Sequence, residues 1–281
     1  MKGAMERLGP QDPRFPAPLR DLPDPPETLW LQGDLDLGAR RVAIVGTRRA
    51  DPEAQHLARR IARDLGEAGA VVISGGAEGI DAAAHEGALE AGGATWVVQA
   101  APLDAPYPRR HRPLFRRIVE AGGAQLSETP SGAAPRAHRF LARNRVIAAL
   151  AEAVVVVQAP RRSGALSTAR HARALGRPLY AIPHAPWDRR GEGGTGLLFE
   201  GALPLRGAAD LRELDLPSAA PARSEVPADP ILEALSASRD RGLDELVAAT
   251  GWPAPALRAA LIEHAVAGRV RRGAAGWRRV R

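Results

Sequence analysis

Residues 71–81, VVISGGAEGID, decide the fold. Val71, Val72 and Ile73 form an unbroken apolar run, which predicts a strand covered on both faces, since a strand with one wet face would alternate. Gly75, Gly76 and Gly79 then crowd into five positions, a destabilising choice unless the backbone needs them. A helix is predicted to open at Ile80-Asp81. Working outward, the same cycle recurs. Residues 42–45 (VAIV) lead into Gly46-Thr47-Arg48-Arg49 and then Asp51-Pro52, a good N-cap and first-turn pair. The following helix carries Leu57, Ile61 and Leu65 at helical spacing. Further short apolar runs lie at 96–98, 124–126, 154–157 and 179–182. Such alternation predicts an α/β fold: a doubly wound, mostly parallel sheet between two layers of helices.

The flanks read differently. Residues 1–40 are proline-rich and weakly periodic, an irregular lead-in expected to pack Leu29 and Trp30 against the core. The α/β domain is expected over 41–206. Residues 207–229 lose all periodicity and read as an Ala/Pro-rich linker. From 230 to 281, three short helical segments precede a basic tail, the outline of a winged helix or of a plain three-helix module. Nine arginines face five acids there, and six of the nine follow Gly268.

Composition narrows the function classes. The chain has 281 residues, 45% hydrophobic and 25% charged, with a net charge of +7. Lys2 is the single lysine, so the positive surplus is arginine; it favours a polyanionic partner. With no cysteine there are no disulfides, thiolate metal sites or thiol nucleophiles. No apolar stretch nears the roughly 20 residues of a membrane span, and the N-terminus lacks a signal-peptide core. A cytoplasmic protein is expected.

In an open parallel sheet, ligands collect beyond the carboxyl ends of the strands. The loops there hold Gly46, Thr47 and Arg48; Ser74, Gly75 and Gly79; Ser127 and Glu128; and, after residue 157, Arg161, Arg162, Ser163 and Gly164. Arg143-Asn144-Arg145 opens a further helix. Glycine backbone, helix N-termini and arginine forks suit phosphate at several points along one edge. Neither G-x-G-x-x-G after the first strand nor a P-loop motif is present, which leaves dinucleotide and NTPase readings without support. Arg48 can bind either a phosphate or the carbonyls of its own turn. Phe140 can sit in the core or stack a base. Asp81 and His85, one helical turn apart, are expected to share a local hydrogen bond rather than join Glu128 in acid–base chemistry.

At this point VAIVGTR (42–48), VVISGGAEGIDAAAHEGAL (71–89), LDAPYP (103–108), SETP (127–130), FLARNRVIAAL (140–150), SGALSTA (163–169), GRPLYAIP (176–183) and LLFEGA (197–202), with the proline-rich FPAPLRDLPDPPETLWLQG (15–33) before them, resemble the core of the DprA (Smf) family in content and order. The resemblance covers roughly 14–205, and the last segment is similar to that family's winged-helix domain. It implies an extended Rossmann-like domain that binds single-stranded DNA without sequence preference. It also implies a homodimer, protection of incoming DNA in natural transformation, loading of RecA, and neither catalytic turnover nor a cofactor or metal. Carried over onto matching positions, the DNA-binding residues are Gly46, Thr47, Arg48, Ser74, Gly75, Gly79, Phe140, Arg143, Asn144, Arg145, Ser163, Gly164, Ser167 and Thr168. Several positions depart from the family pattern. Glu78 stands where a basic or neutral residue is usual, Gly76 where a larger apolar one is, and His184 where a glycine follows the proline. Leu141 replaces a usual proline. Glu78 would repel phosphate unless Arg48 or Arg49 pairs with it. The rival class is a nucleotide phosphoribohydrolase on a related fold; a third is a scaffold whose winged helix reads duplex DNA.

Overall fold

The structure, a computed structural model, describes residues 4–134, 136–211, 230–236, 239–266, 269–273 and 275–279. The chain divides into two compact units, residues 1–219 and 220–281.

The first unit is built on a nine-stranded sheet. Its parallel body is β3 (Arg41–Val45), β4 (Val71–Ser74), β5 (Thr95–Gln99), β6 (Ala124–Ser127), β7 (Ala153–Val156), β8 (Leu179–Ala181) and β9 (Leu203–Pro204). Two strands come from the segment read as an irregular lead-in: β1 (Glu6–Leu8) and β2 (Leu29–Gly33). They extend the sheet antiparallel beyond β6, giving the order β1-β2-β6-β5-β4-β3-β7-β8-β9. The expected irregularity is corrected, since prolines are confined to the connection between these strands and its short helix, while LWLQG puts Leu29 and Leu31 into the core.

Alternate strand residues face opposite helix layers. Val42, Ile44, Val72 and Val155 pack on α2 (Pro52–Glu67) and α3 (Ile80–Glu90), while Val97 meets α4 (Arg112–Glu120). Ala43, Val45, Ile73, Trp96 and Val154 pack on α1 (Ala17–Arg20), α6 (Asn144–Leu150) and α7 (Ala165–Ala174), with α8 (Glu192–Phe199) on the same side. Each such Val or Ile, fully buried, contributes about 1.5–3 kcal/mol. Helix α2 starts where the sequence predicts: Pro52 is in its first turn and Asp51 accepts the Ala54 N–H at 2.7 Å. β3 lies between β4 and β7, so the chain winds one way through β4, β5 and β6, then crosses by α5 (Ala137–Ala142) and α6 to the other side. The switch point of this sheet is the crevice between the carboxyl ends of β3 and β7.

Of the stretch read as a linker, residues 208–211 pack on this first unit, with Leu211 buried; residues 212–229 lie outside the described residues. The second unit has α9 (Pro230–Ala234), α10 (Leu243–Thr250), α11 (Ala254–Val266) and a hairpin of β10 (Val270–Arg272) with β11 (Trp277–Arg279). Arg241 adds a bridge to Trp277, and Ile231, Leu235, Leu246, Leu257, Leu261 and Val270 form the core. Among the described residues, no helix is long and apolar enough to cross a membrane.

Candidate nucleic-acid interface

The loops after β3, β4 and β7 meet at the switch point because backbone groups tie them together. Thr47 N–H donates to the Gln158 carbonyl at 2.7 Å, and the Gln158 side chain bonds both the backbone and the carboxylate of Asp51. Gly79 has φ +76°, and a Cβ there would collide with the Thr47 carbonyl, so only glycine lets the second loop lie against the first. Asp81 is buried and accepts from the Ala77 and Gly46 N–H groups, one carboxylate clasping both loops. Burial pushes its carboxyl above the usual range, although Arg143 opposes this. Ser74, also buried, donates to the Ile44 carbonyl at 2.6 Å.

A cavity of about 320 Å³ opens over this clasp. Nine of the residues expected to bind DNA line it: Gly46, Thr47, Arg48, Phe140, Arg143, Asn144, Ser163, Gly164 and Thr168. A second cavity of about 210 Å³ adjoins it and includes Gly75; Arg48, Arg49, Phe140 and Arg143 border both. The divider is a stack: the Arg48 guanidinium lies 5.2 Å above the Phe140 ring. Phe140 is half-buried in α5, presenting a face rather than filling the core. Arg48, Arg49 and Arg162 are exposed, and among the described residues none has an acidic partner.

The other arginines are spent on the fold. Arg143 is buried; it donates to the Gly75 carbonyl at 2.8 Å, to the Val98 carbonyl, and to Asn144 Oδ1 at 3.3 Å. Gly75 is a close approach: a Cβ there would stand 2.5 Å from that guanidinium. Burial lowers the Arg143 pKa to about 10, against the pull of Asp81. Asn144 donates to the Gly164 carbonyl at 3.1 Å, linking α6 to the turn before α7. Arg145 is not brought to the cavities: it pairs with Glu128 at 2.7 Å and Asp24 at 3.4 Å, in a separate depression beside Trp30. Ser167 is buried in α7 and lines neither cavity, and Gly79 acts through the loop clasp.

One local expectation is corrected and one open condition is resolved. Asp81 and His85 do not bond each other: Asp81 turns to the loops, and His85 Nδ1 contacts Thr95 Oγ1 at 2.8 Å. Since Thr95 donates its own proton to the Val72 carbonyl, His85 is the Nδ1–H tautomer. Glu78 pairs with Arg110 rather than Arg48 or Arg49. Arg49 and Arg162, which stand on the cavity walls, belong to loops already singled out for phosphate but were not among the residues expected to bind DNA. Tyr107 is 46% exposed and meets Phe140 edge to face at 5.5 Å. With aromatics only 4% of the chain, an aromatic in the loop 103–108 was itself the available signal.

A family model described as DNA recombination-mediator protein A matches residues 6–214, and one described as the DprA winged helix domain matches 216–276. The chain belongs to the DprA family. A putative DNA processing protein DprA from Mycobacterium tuberculosis is 44% identical over 191 residues, 67% of this chain and 49% of that one. The DNA processing protein DprA of Bacillus subtilis is 34% identical over 202 residues, covering 71% and 68%. This DprA-family chain thus spans about half the length of several curated relatives it matches. Among solved structures, DprA from Streptococcus pneumoniae aligns with a TM-score of 0.69 at 34% identity, over 74% of each chain. DprA from Helicobacter pylori aligns with a TM-score of 0.67 at 33% identity, over 75% of this chain and 95% of its own; that structure is described as giving the single-stranded DNA binding mode of the H. pylori protein.

Proposed function

We propose that this chain binds single-stranded DNA along the carboxyl edge of its sheet, with phosphates held by Arg48, Arg49 and Arg162 and by the turn Ser163-Gly164 that opens α7. The observation that carries the reading is Arg48, an exposed cation with no acidic partner among the described residues, laid over the Phe140 ring between two cavities. That pairing suits a polymer with a charge and a π-face in every repeat. Arg143, Asn144, Ser74, Gly75, Gly79 and Thr168 shape the surface from beneath. The H. pylori relative supports the choice of single strands.

By family, the role is a cytoplasmic, non-enzymatic mediator that protects incoming DNA and passes it to RecA in transformation and recombination. It acts as a homodimer, for which Phe199, 90% exposed at the end of α8, marks an uncovered apolar face. The test of the DNA reading is fluorescence anisotropy with labelled oligo-dT over a salt series. Binding should weaken with a log–log slope of about −0.7 per phosphate contacted, and Arg48→Ala should lower both the affinity and the slope. Salt-insensitive binding, or binding unchanged by Arg48→Ala, would move the site elsewhere.

A further inference from the structure

Each cavity has a carboxylate on its wall, but Asp81 in the first is buried and taken up by loop N–H groups, whereas Glu78 in the second is partly exposed. Glu78 lines that second cavity together with Tyr107, Pro108, Gly75 and Ala100. One Glu78 oxygen, Oε2, is held by Arg110; the other accepts no hydrogen bond among the described residues. Arg110 is itself fixed, because the turn Arg109–His111 is anchored to the glycine loop by His111 Nδ1 on the Gly76 carbonyl at 3.0 Å. The Arg143 guanidinium is already engaged with the Gly75 and Val98 carbonyls. On the Glu78 side a phosphate would meet the carboxylate and a base would meet the Tyr107 ring, while Arg48 and Arg49 on the wall shared with the first cavity remain for the backbone.

At about 210 Å³ the space is below the roughly 300 Å³ of an ordinary small-molecule pocket and suits one planar base. Single-stranded recognition commonly combines an aromatic platform with hydrogen bonds to the exposed base edge. Guanine is the base that presents two adjacent N–H donors, N1–H and the N2 amine, to one carboxylate. Thymine and cytosine set carbonyl or ring-nitrogen acceptors beside their single donor, which a carboxylate repels.

We propose that this second cavity is a base pocket preferring guanine, with Tyr107 stacking on the base and Glu78 accepting from its N1–H and N2 amine. The assignment rests on the single-stranded DNA reading and adds one position of preference to an otherwise sequence-tolerant surface.

The experiment is competition anisotropy using an oligo-dT strand, the same strand with spaced single guanines, and one with inosine, which lacks the N2 amine, at those places. Wild type should favour the guanine strand roughly tenfold over oligo-dT, with inosine between. Glu78→Gln should erase the preference while keeping oligo-dT binding, and its melting temperature should match wild type because the side chain is on the rim. Tyr107→Ala should weaken all three strands and Tyr107→Phe should restore them. Equal, salt-sensitive binding of the three strands by wild type would overturn the pocket alone. A preference that survives in Glu78→Gln would do the same. Failure to bind any strand would overturn the DNA reading with it.

Discussion

Arg143 is a charge withdrawn from solvent and answered by carbonyls rather than by a ligand. Removing it would leave the Gly75 and Val98 carbonyls and the Asp81 carboxylate without their cation, the kind of change that costs about 3–5 kcal/mol. A variant at Arg143 therefore reports folding first, and Arg48 is the cleaner probe of binding. His85 carries the pH dependence. Its burial, with His111 and Arg143 nearby, lowers its pKa from 6.5 to about 3. Between those values the unfolded chain holds a proton there that the folded chain refuses. Stability attributable to His85 is thus complete above about pH 6.5 and drains away as pH falls toward 3. Urea unfolding at pH 7 and pH 4.5 should show this loss. His85→Asn, which keeps a donor toward Thr95, should flatten the dependence; an unchanged pH profile would remove His85 as its source.

Among the elements, the interior strands were legible because burial on both faces requires continuous apolar runs, as in 42–45 and 154–157. β2 was not, since it is an antiparallel strand toward the rim of the sheet within a proline-rich segment, and its pairing with β6 joins residues nearly a hundred apart. The site divides on the same principle. Loops that begin where a strand ends could be placed from sequence, so Gly46, Thr47, Arg48, Ser163 and Gly164 converge on one cavity, where Phe140 and Thr168, expected from the resemblance, join them from helices. Long-range partners could not: Arg145 with Glu128, Arg110 with Glu78 and Tyr107 with Phe140 depend on how separate loops fold over one another. The clasp between the first two loops has a direct test. Gly79→Ala combines φ +76° with a clash against the Thr47 carbonyl and should cost more than 1 kcal/mol. In a unit of this size that lowers the melting temperature by at least about 2–4 °C, and oligo-dT affinity should fall with it. An unchanged melt would mean that the loops do not need this approach.

At the scale of the molecule, each unit has a hydrophobic core of its own, so each is expected to fold alone. Residues 1–211 expressed by themselves should bind oligo-dT within about threefold of the full chain and, by sedimentation, still dimerise; Phe199→Asp in that fragment should give monomers. A larger loss of affinity would assign a DNA contact to the arginines of the winged helix. The proposed homodimer is constrained by how the sheet ends. On one side is β1, three residues long with Glu6 and Arg7 exposed; on the other is β9, two residues long and closed by Pro204, which has no N–H to offer. Neither rim presents a row of free backbone groups that a second copy could zip onto. In that proposed dimer, copies of this chain would recognise one another through side chains, a mode of assembly that does not propagate into ribbons.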